Sequence, residues 1–463
     1  MPKNKGLSIV IVGCGKVGLT LVEQLSREGH DITVIDKDRC LVEHISGTYD
    51  VLGVVGNGAS YSVQKEAGIE NTDLIIAVTE SDELNLLCCT VAKRVANCSA
   101  IARVRTPDYS QDVGYLRERL GLAMIFNPEL ESAREAARML SLPTALEVAS
   151  FAHGQAELVT FKIPEGNKLD GMMLWDMNKS IPKEIETNVV ICAVERGSEV
   201  YIPSGNFQLQ SGDVISFVST RKIARKFLRS IGFKTRQVRS TMIIGGGRAS
   251  YYLAQELLAM GIGVKIIEKN PARCEELCEL LPDANIIYGD GSNEALLLEE
   301  GIQFAESFVA LTGIDEENIL LTLHARNVSD AKVITKINRI NFRSAINTLD
   351  LGSVIYPKYI TAEAIVAYVR AKHNSMNSNV ETLNYICNNR VEAVEFQIRD
   401  CPQVTGRMLK DLKPRMKKDI LIASINRRGR ILIPSGVDTI EPGDSVMVVT
   451  THSGFSDIRD ILA

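Results

Sequence analysis

The sequence Ile9-Val-Ile-Val-Gly-Cys-Gly-Lys-Val-Gly18 joins the pattern of a buried strand to the start of a helix through three spaced glycines. In dinucleotide-binding α/β folds the first glycine permits a tight turn, and the second lets the backbone approach a pyrophosphate. The third allows the helix to pack closely on the strand. Free N–H groups at the helix start then hold the phosphate. The stretch therefore predicts a nucleotide-binding parallel α/β domain.

An acidic residue follows where such a domain needs one. Asp36 ends the second predicted strand, 18 positions after Gly18. A carboxylate there bonds the ribose hydroxyls and repels a 2′-phosphate, which favours NAD or a plain adenine nucleotide over NADP. The alternative is a tight structural turn whose neighbouring aspartate merely begins a loop.

The whole pattern recurs in the second half of the chain. Met242-Ile-Ile-Gly-Gly-Gly-Arg-Ala-Ser250 matches the first glycine stretch, and Gly245 follows Gly13 at an offset of 232. Later landmarks keep this offset within one residue: Asp36 with Glu268, Gly56 and Gly58 with Gly289 and Gly291, Thr79 with Thr312, Asn85 with Asn318, and Arg103 with Lys336. Tyr201-Ile-Pro-Ser-Gly205 likewise matches Leu432-Ile-Pro-Ser-Gly436. Self-similarity of this kind indicates a tandem duplication of a two-part unit.

The two parts of each unit predict different folds. Buried strands near 7–12, 31–35 and 74–78 alternate with helical stretches, which is typical of a parallel α/β sheet. Strand-like segments such as 157–163 and 189–195, with turn signals and few helical runs, indicate small α+β domains. The predicted fold class is α/β, with two Rossmann-like doubly wound parallel-sheet domains, each followed by a small α+β domain. The expected boundaries give domains 1–140, 141–235, 236–364 and 365–463.

The second glycine loop departs from the pattern. Ser250 replaces the third glycine and adds a side chain where helix and strand should pack closely. Glu268 keeps the acidic ribose partner, and Arg248 adds a positive charge beside the expected phosphate position. We expect this pocket to bind a different nucleotide or to bind more weakly, and a pocket without a nucleotide is the alternative.

Further candidate ligand contacts follow the fourth and fifth strands. Thr79 and Thr312 lie at the carboxyl ends of equivalent strands, where open α/β sheets place their ligands. The alternative there is helix capping by Ser81 or Asp315, and both interpretations can hold together. Arg103 and Lys336 lie in or just after the next strand. A cation there either reaches a phosphate or is a solvated surface charge. The candidates are therefore Thr79, Glu80, Arg103, Thr312, Gly313 and Lys336.

Composition excludes several classes of protein. A formal net charge of −5 with 24% charged residues argues against a nucleic-acid binder. No apolar run approaches the roughly 18 residues of a membrane span, and the apolar stretch 7–12 is too short for a signal-peptide core. The ten cysteines are scattered without a second Cys/His pair for a metal. We expect a cytoplasmic chain with reduced cysteines, no metal and no nucleic acid.

Together these features resemble the TrkA family, the cytosolic subunits of Trk-type potassium uptake systems, over essentially the whole chain. Members carry two RCK units, each pairing an NAD-binding Rossmann domain (RCK N) with an RCK C domain. The resemblance implies a regulatory subunit that gates potassium transport, with NAD(H) at the first site and NAD(H) or ATP/ADP at the second. It also implies a TrkH- or TrkG-like membrane channel partner and a homo-oligomeric ring of RCK units. The expected location is cytoplasmic, peripheral on the inner face of the cell membrane through that partner.

The resemblance carries over to named residues in both halves. With Gly18 of the glycine pattern, the first site comprises Gly13, Cys14, Gly15, Lys16, Val17, Asp36, Thr79, Glu80 and Arg103. The second comprises Gly245, Gly246, Gly247, Arg248, Ala249, Glu268, Thr312, Gly313 and Lys336.

Catalytic patterns do not accompany these loops. The six histidines do not recur at equivalent positions, and no Ser-His-Asp order, nucleophile elbow, HExxH or Walker lysine loop is present. A dehydrogenase would need a proton donor or acceptor beside the nicotinamide. The prediction is a non-enzymatic regulator, with an NAD-dependent oxidoreductase-like enzyme or a nucleotide sensor of another assembly as the alternatives.

Overall fold

The first domain is a parallel α/β structure whose apolar strand residues are almost fully buried, since helices cover both faces of its sheet. Six strands pair in the order β3-β2-β1-β4-β5-β6. Its elements are β1 (Ser8–Val12), α1 (Lys16–Arg27), β2 (Asp31–Asp36), α2 (Arg39–Thr48), β3 (Leu52–Val55), α3 (Tyr61–Glu66), β4 (Leu74–Ala77), α4 (Asp82–Val95), β5 (Ser99–Arg103), α5 (Val113–Arg119), β6 (Met124–Phe126) and α6 (Pro128–Ser141).

The computed structural model describes residues 6–107, 109, 112–177, 181, 182, 185, 188–338, 346, 349–373, 378–387 and 389–463. The chain divides into two compact units. One extends to Ala133 and includes Tyr356–Val366, and the other contains Arg134–Ile355 and Ala367–Ala463. The first parallel sheet lies in the first unit. All other sheets lie in the second.

An antiparallel domain follows the first parallel sheet. Its five strands pair in the order β10-β9-β11-β8-β7. One face packs on a helix through a core that includes Phe161, Phe217 and Phe227, whose rings meet edge to face. The elements are β7 (Glu147–Phe151), β8 (Ala156–Lys162), β9 (Val189–Arg196), β10 (Glu199–Tyr201), β11 (Val214–Thr220) and α7 (Arg221–Ser230).

The second half repeats both architectures. The parallel sheet has the order β14-β13-β12-β15-β16-β17, and the antiparallel sheet has the order β18-β19-β22-β20-β21, which match the first pair strand for strand. The predicted fold class is therefore confirmed. The elements are β12 (Ser240–Ile244), α8 (Arg248–Ala259), β13 (Gly263–Glu268), α9 (Pro271–Leu280), β14 (Asn285–Tyr288), α10 (Glu294–Glu299), β15 (Ser307–Ala310), α11 (Asp315–Val328), β16 (Lys332–Lys336), β17 (Ser353–Ile355), α12 (Pro357–His373), β18 (Ser378–Ile386), β19 (Val391–Ile398), α13 (Leu409–Leu412), β20 (Ile420–Arg427), β21 (Arg430–Leu432) and β22 (Ser445–Thr450).

The two antiparallel sheets pack against each other within the chain. Their facing side chains form one apolar cluster, to which Phe151 and Leu158 contribute from the first sheet and Met447 and Val449 from the second. Glu395 of the second sheet, 3% exposed, accepts a 3.0 Å hydrogen bond from the amide of Ala152 in the first. The contact between the two antiparallel sheets is therefore stabilised by buried apolar surface and by a buried hydrogen bond.

The helices of the described residues are short for membrane spans. Even α12 contains only 17 residues, whereas crossing a bilayer takes about 20 predominantly apolar ones. Within the described part of the chain, no helix has both the length and the apolar character needed to cross a bilayer.

Candidate nucleotide-binding sites

The candidate site residues of each half meet at the point where the strand order reverses. β1 lies between β2 and β4, so the chain leaves β1 and β4 toward opposite sides of the sheet. The first glycine loop follows β1, and Thr79 follows β4. A side chain built on Gly13 would lie 2.9 Å from the amide nitrogen of Thr79, which places the two loops in direct contact. β12 and β15 repeat this arrangement, and such switch points are where open α/β sheets bind ligands.

The first and third glycines of the first loop are required by the protein itself. Gly13 has φ of +104°, a conformation that side-chain-bearing residues rarely adopt. A Cβ on Gly18 would lie 1.9 Å from the carbonyl oxygen of Gly13. Both glycines therefore serve the turn and the packing of α1 on the sheet.

The middle glycine has no such structural reason. Gly15 has φ of −67° and ψ of −169°, which any residue adopts, and a Cβ built on it meets no atom within 4 Å. Gly247 in the second loop has φ of −67° and also faces open space. Neither packing nor backbone conformation demands glycine at these two exposed positions. The open space above both loops is where dinucleotide-binding folds hold the pyrophosphate of their ligand.

The helix starts behind the loops leave backbone donors available. Gly15 and Gly247 are the N-caps of α1 and α8 and supply no capping side chain. In contrast, Asp38 and Asn270 cap the next helices, α2 and α9, by accepting from two amides each. The first N–H groups of α1 and α8 therefore point at the loop without a side-chain acceptor, and the helix dipole favours an anion there.

Cationic and small residues open the two helices. Lys16 and Arg248 are the first residues of α1 and α8, and both are exposed next to the loop. Val17 and Ala249 follow them and are half-buried. Each pocket thus carries one positive charge at the helix start, where it adds to the attraction for phosphate.

Two carboxylates hold the loops in the same way. Asp36 accepts a 2.6 Å hydrogen bond from the amide of Cys14 and a 3.0 Å bond from the amide of Asp38. Glu268 accepts 2.6 Å and 2.7 Å bonds from the amides of Gly246 and Asn270. A carboxylate has about four lone-pair sites, so each retains acceptor capacity for ribose hydroxyls.

The pockets differ beside these carboxylates. Cys14 is 4% exposed, and burial together with the charge of Asp36 raises the pKa of its thiol to about 12. The second loop has Gly246 instead, where a Cβ would lie 2.7 Å from a methyl carbon of Leu277 and 3.0 Å from Cγ of Glu268. The longer carboxylate of Glu268 therefore occupies the space that Cys14 fills beside Asp36. The residue sizes compensate each other: the larger Cys14 accompanies the shorter Asp36, and Gly246 accompanies the longer Glu268.

Ser250 is accommodated by a local hydrogen bond. Its side chain is fully buried, and its hydroxyl donates to the carbonyl oxygen of Gly245. The corresponding carbonyl of Gly13 is the atom that a Cβ on Gly18 would meet. The loop and helix start of the second half are therefore spaced differently from those of the first.

Buried asparagines form hydrogen bonds with the strand ends beside the loops. The fully buried Asn85 accepts a 2.8 Å hydrogen bond from the amide of Thr79 and donates a 2.9 Å bond to the carbonyl of Arg103. Asn318 makes the same bonds to Thr312, at 2.8 Å, and Lys336, at 3.0 Å. These asparagines tie the ends of β4 and β15 to the strands that follow. They were only landmarks of the repeat in the sequence, and their recurrence was the signal of a structural role.

The cations at the strand ends are engaged by backbone carbonyls. Arg103 donates to the carbonyl of Thr79, and Lys336 donates a 3.0 Å bond to the carbonyl of Leu311. Burial, followed by the charge of Arg105, lowers the pKa of Arg103 to about 10. Arg105 was not predicted from the sequence. It donates to the carbonyl of Glu80 and gives the first pocket a second arginine where the other half has an asparagine.

The capping alternative holds in one half only. Ser81 caps α4 by accepting a 3.1 Å bond from the amide of Leu84. Asp315 is the first residue of α11 and not its N-cap, so the capping alternative does not hold in the second half. Its carboxylate instead accepts a 2.9 Å bond from the amide of Asn338, beyond the end of β16. Gly313, just before α11, is exposed and meets no atom within 4 Å of a built Cβ.

A further cation lies on the second glycine loop alone. Arg273 in α9 donates a 2.7 Å bond to the carbonyl of Gly246 and pairs with Glu276 at 2.7 Å. Leu41 stands at the corresponding position of the first half, at an offset of 232, and is 39% exposed. Arg273 was not predicted from the sequence, because helix position alone does not reveal which way a long side chain reaches.

Comparison with known families identifies both parts of the repeated unit. The TrkA-N domain matches residues 9–128 and 241–357, and the TrkA-C domain matches residues 158–232 and 393–463. The chain belongs to the TrkA family. The matches alternate along the chain as N, C, N, C, as the duplication requires.

Curated relatives of the TrkA family extend over the whole chain. A Trk system potassium uptake protein TrkA homolog from Archaeoglobus fulgidus is 32% identical over 98% of this chain and 100% of its own. The Trk system potassium uptake protein TrkA of Halomonas elongata is 30% identical over 98% of each chain. Among solved structures, the GsuK channel bound to NAD superposes with a TM-score of 0.62 at 18% identity. It covers 97% of this chain and 78% of that one. The similarity to the GsuK channel shows that the two proteins share a fold.

Proposed function

We propose that this TrkA-family chain is the nucleotide-sensing regulatory subunit of a Trk-type potassium uptake system and gates potassium transport through its two pockets. The observation that carries the proposal is the glycine at positions 15 and 247. Both have backbone angles that other residues also adopt and open space above them, which supports a ligand lying against the backbone there. The relatives named for potassium uptake supply the process.

NAD(H) is the proposed ligand of the first pocket. Gly15 and the start of α1 would receive the pyrophosphate, and Asp36, held by the amide of Cys14, would accept from the ribose hydroxyls. Its negative charge disfavours a 2′-phosphate and so NADP. The GsuK channel, which shares the fold and was solved bound to NAD, supports this assignment.

The second pocket is proposed to take NAD(H) or ATP/ADP. Glu268 repeats the ribose contact, and Arg248 and Arg273 bring two cations to the glycine loop. The first loop has Lys16 but a leucine in place of Arg273. Because charge-assisted bonds to phosphate are stronger than neutral ones, these two cations suit a phosphate-bearing ligand at the second loop.

Linkage explains how two pockets could gate a channel. A nucleotide shifts a conformational equilibrium only by the difference between its affinities for the two states. Couplings of roughly 1–3 kcal/mol are typical of allosteric proteins, which changes a state ratio about 5- to 150-fold. Unequal pockets let two nucleotides bias opposite states, one favouring transport and the other opposing it.

The proposed partners are a TrkH- or TrkG-like membrane channel subunit and further copies of this chain in a ring of RCK units. Leu87 and Leu320 support the ring. They occupy equivalent positions of α4 and α11, at an offset of 233, and are 51% and 68% exposed. A large apolar side chain exposed twice at the same place favours an interface between like domains. The proposed location is cytoplasmic, peripheral on the inner membrane face through the channel.

Potassium uptake tests the proposal directly. In cells lacking this chain, we expect wild type to restore uptake and Asp36→Ala to restore little, because the ribose contact is lost. Asp31→Ala is the matched control, since Asp31 is exposed at the opposite end of β2. Unchanged uptake in the absence of the chain would end the proposal. Consumption of NADH by the purified protein would instead favour an oxidoreductase.

A further inference from the structure

Gln64 is a buried polar side chain beside the apolar core of the first domain. It lies on α3 and is fully buried. Its Nε2 atom donates a 2.7 Å hydrogen bond to the carbonyl oxygen of Gly58 and a 2.9 Å bond to that of Cys88, a core residue of α4. Because both partners are acceptors, they determine which end of the amide faces them. Gln64 therefore joins the loop between β3 and α3, residues 56–60, to α4.

The other end of the same amide has no partner. Oε1 of Gln64 is buried and accepts no hydrogen bond from any residue that the structure describes. A buried acceptor that gives up its bonds to water and gains none in the protein lowers the stability of the fold. The two bonds of Nε2 are thus accompanied by a penalty that an apolar side chain would avoid.

The second half shows that the fold does not need an amide at this position. α10 has the same length as α3, and Leu297 takes the place of Gln64 at the offset of 233 that also relates Gly58 to Gly291. Leu297 is buried in the apolar core of the second parallel domain. A residue that departs from the local apolar pattern without a gain in stability indicates a function.

The loop that Gln64 contacts lies at the first nucleotide pocket. The amide of Gly56 donates a 2.8 Å bond to the backbone carbonyl of Asp36, the last residue of β2. A Cβ on Gly58 would collide with Cγ1 of Val12, the last residue of β1. The loop thus contacts the carboxyl ends of the two strands that lead to the ribose carboxylate and to the glycine loop. Open α/β sheets bind their ligands at these ends.

We propose that Gln64 is a positioning residue of the first nucleotide pocket. It bonds to the carbonyl of Gly58 and so fixes the loop 56–60 beside Asp36 before a nucleotide binds, with the carbonyl of Cys88 as the second point of attachment. A loop that is already ordered loses less conformational entropy on binding, which raises affinity. This inference rests on the proposed function, because it requires a nucleotide at the first pocket. Leu297 cannot form these bonds in the second half.

Calorimetric titration with NADH tests this role in the full chain carrying Gly247→Val, a substitution that fills the space above the second glycine loop. We expect addition of Gln64→Leu to weaken NADH binding roughly tenfold, because the loop must then be ordered on binding. The unfolding temperature should stay close to that of the Gly247→Val chain, since leucine fills the equivalent position of the second half. A residue with only a structural role would instead change the unfolding temperature and leave the affinity unchanged.

Gln24→Leu in the same background is the matched control. Gln24 also has a buried Oε1 that accepts no hydrogen bond from the described residues. It lies on α1, about 12 Å along the helix from Lys16 at its start. Its replacement should leave the affinity for NADH unchanged. A loss of affinity in Gln64→Leu alone is then specific to the amide that contacts the loop.

Three outcomes would overturn the role of Gln64 and leave the proposed function intact. They are unchanged NADH affinity in Gln64→Leu, an equal loss of affinity in Gln24→Leu, and a lower unfolding temperature that accompanies the weaker binding, which would make Gln64 a structural residue. If the Gly247→Val chain itself binds no NADH, the proposed function fails at the first pocket, and the role of Gln64 fails with it.

Discussion

Gly15 and Gly18 are glycines for opposite reasons. A side chain on Gly18 collides with the carbonyl of Gly13 at 1.9 Å, whereas one on Gly15 meets nothing. The constraint on Gly18 comes from the protein itself, whereas for Gly15 we propose a ligand lying against the backbone. On this proposal the loop contains a structural glycine and a ligand-binding glycine within four positions.

Substitution of these two glycines should have different consequences for stability. We expect Gly18→Ala to lower the free energy of unfolding by about 2 kcal/mol or more, because the helix start must shift. Gly15→Ala should change it by less than about 1 kcal/mol, the cost of a poorer N-cap. Thermal unfolding of the two variants checks this. Equal losses would show that Gly15 is packed as tightly as Gly18.

The residues of the pockets divide into those that sequence can predict and those that it cannot. The glycines, Asp36 and Glu268 follow from residue type at fixed spacing after a strand. Asn85 and Arg105 were missed because their roles depend on hydrogen bonds to residues 18 and 25 positions away in the sequence. The capping alternative fails for Asp315 for the same reason: its partner, Asn338, lies beyond the end of the neighbouring strand.

At the scale of elements, Asp82 joins the start of α4 to the end of β5. It is 4% exposed and accepts 2.8 Å bonds from the amides of Arg105 and Thr106 and a 2.7 Å bond from the Thr106 hydroxyl. Burial by itself raises the pKa of Asp82, but these bonds and the charge of Arg105 outweigh it and hold the pKa below its ordinary value.

This depressed pKa predicts a pH-dependent contribution to stability. The contribution is present above the unfolded pKa of about 4 and is lost as pH falls through the lower folded pKa. We expect Asp82→Asn to be less stable than wild type by about 1–3 kcal/mol at pH 7. The difference should narrow below about pH 4. Urea unfolding across pH checks it, with the exposed Glu66→Gln as control. A difference independent of pH would contradict the account.

The exposed leucines of α4 and α11 predict an effect on assembly. Leu87→Asp combined with Leu320→Asp should shift the chain toward smaller oligomers, because a carboxylate would be buried at each interface. Sedimentation velocity measures the shift. Leu280→Asp is the control, since Leu280 is 43% exposed but Thr48 takes its place in the first half. An unchanged oligomer in the double variant would remove these helices from the interface.

Some elements could not be predicted from the sequence. The strands β3 and β14 have only four residues each and lie at sheet edges, where Leu52 and Tyr288 are exposed. They therefore lack both the continuous apolar run of a central strand and a regular alternation. The central strands were predicted because burial on both faces leaves mostly apolar residues in them.

At the scale of the molecule, the two antiparallel domains form a pair within one chain. This contact cannot be predicted from the sequence, because a buried sheet face has the same apolar pattern whichever partner covers it. Glu395 secures the pair beside the apolar cluster. It accepts from the amide of Ala152, from the Thr382 hydroxyl at 2.8 Å and from the Ser445 hydroxyl.

Loss of the buried Glu395 carboxylate should weaken the contact between the two antiparallel domains. We expect Glu395→Ala to destabilise the antiparallel domains by about 2–4 kcal/mol, since the Ala152 amide and two hydroxyls lose their acceptor. Hydrogen exchange of β7 and β19 should accelerate together. Glu199→Ala, at an exposed position of the first sheet, serves as the control. Faster exchange confined to β19 would mean that the sheets open independently.

If each half of the chain holds one nucleotide, calorimetric titration with NADH and with ADP should find two bound nucleotides per wild-type chain. Gly15→Val and Gly247→Val should each remove one, because the new side chain fills the space above its loop without disturbing the protein. The double variant should bind none while unfolding at nearly the wild-type temperature. Two nucleotides bound with unchanged affinity by the double variant, or none bound by wild type, would contradict this account.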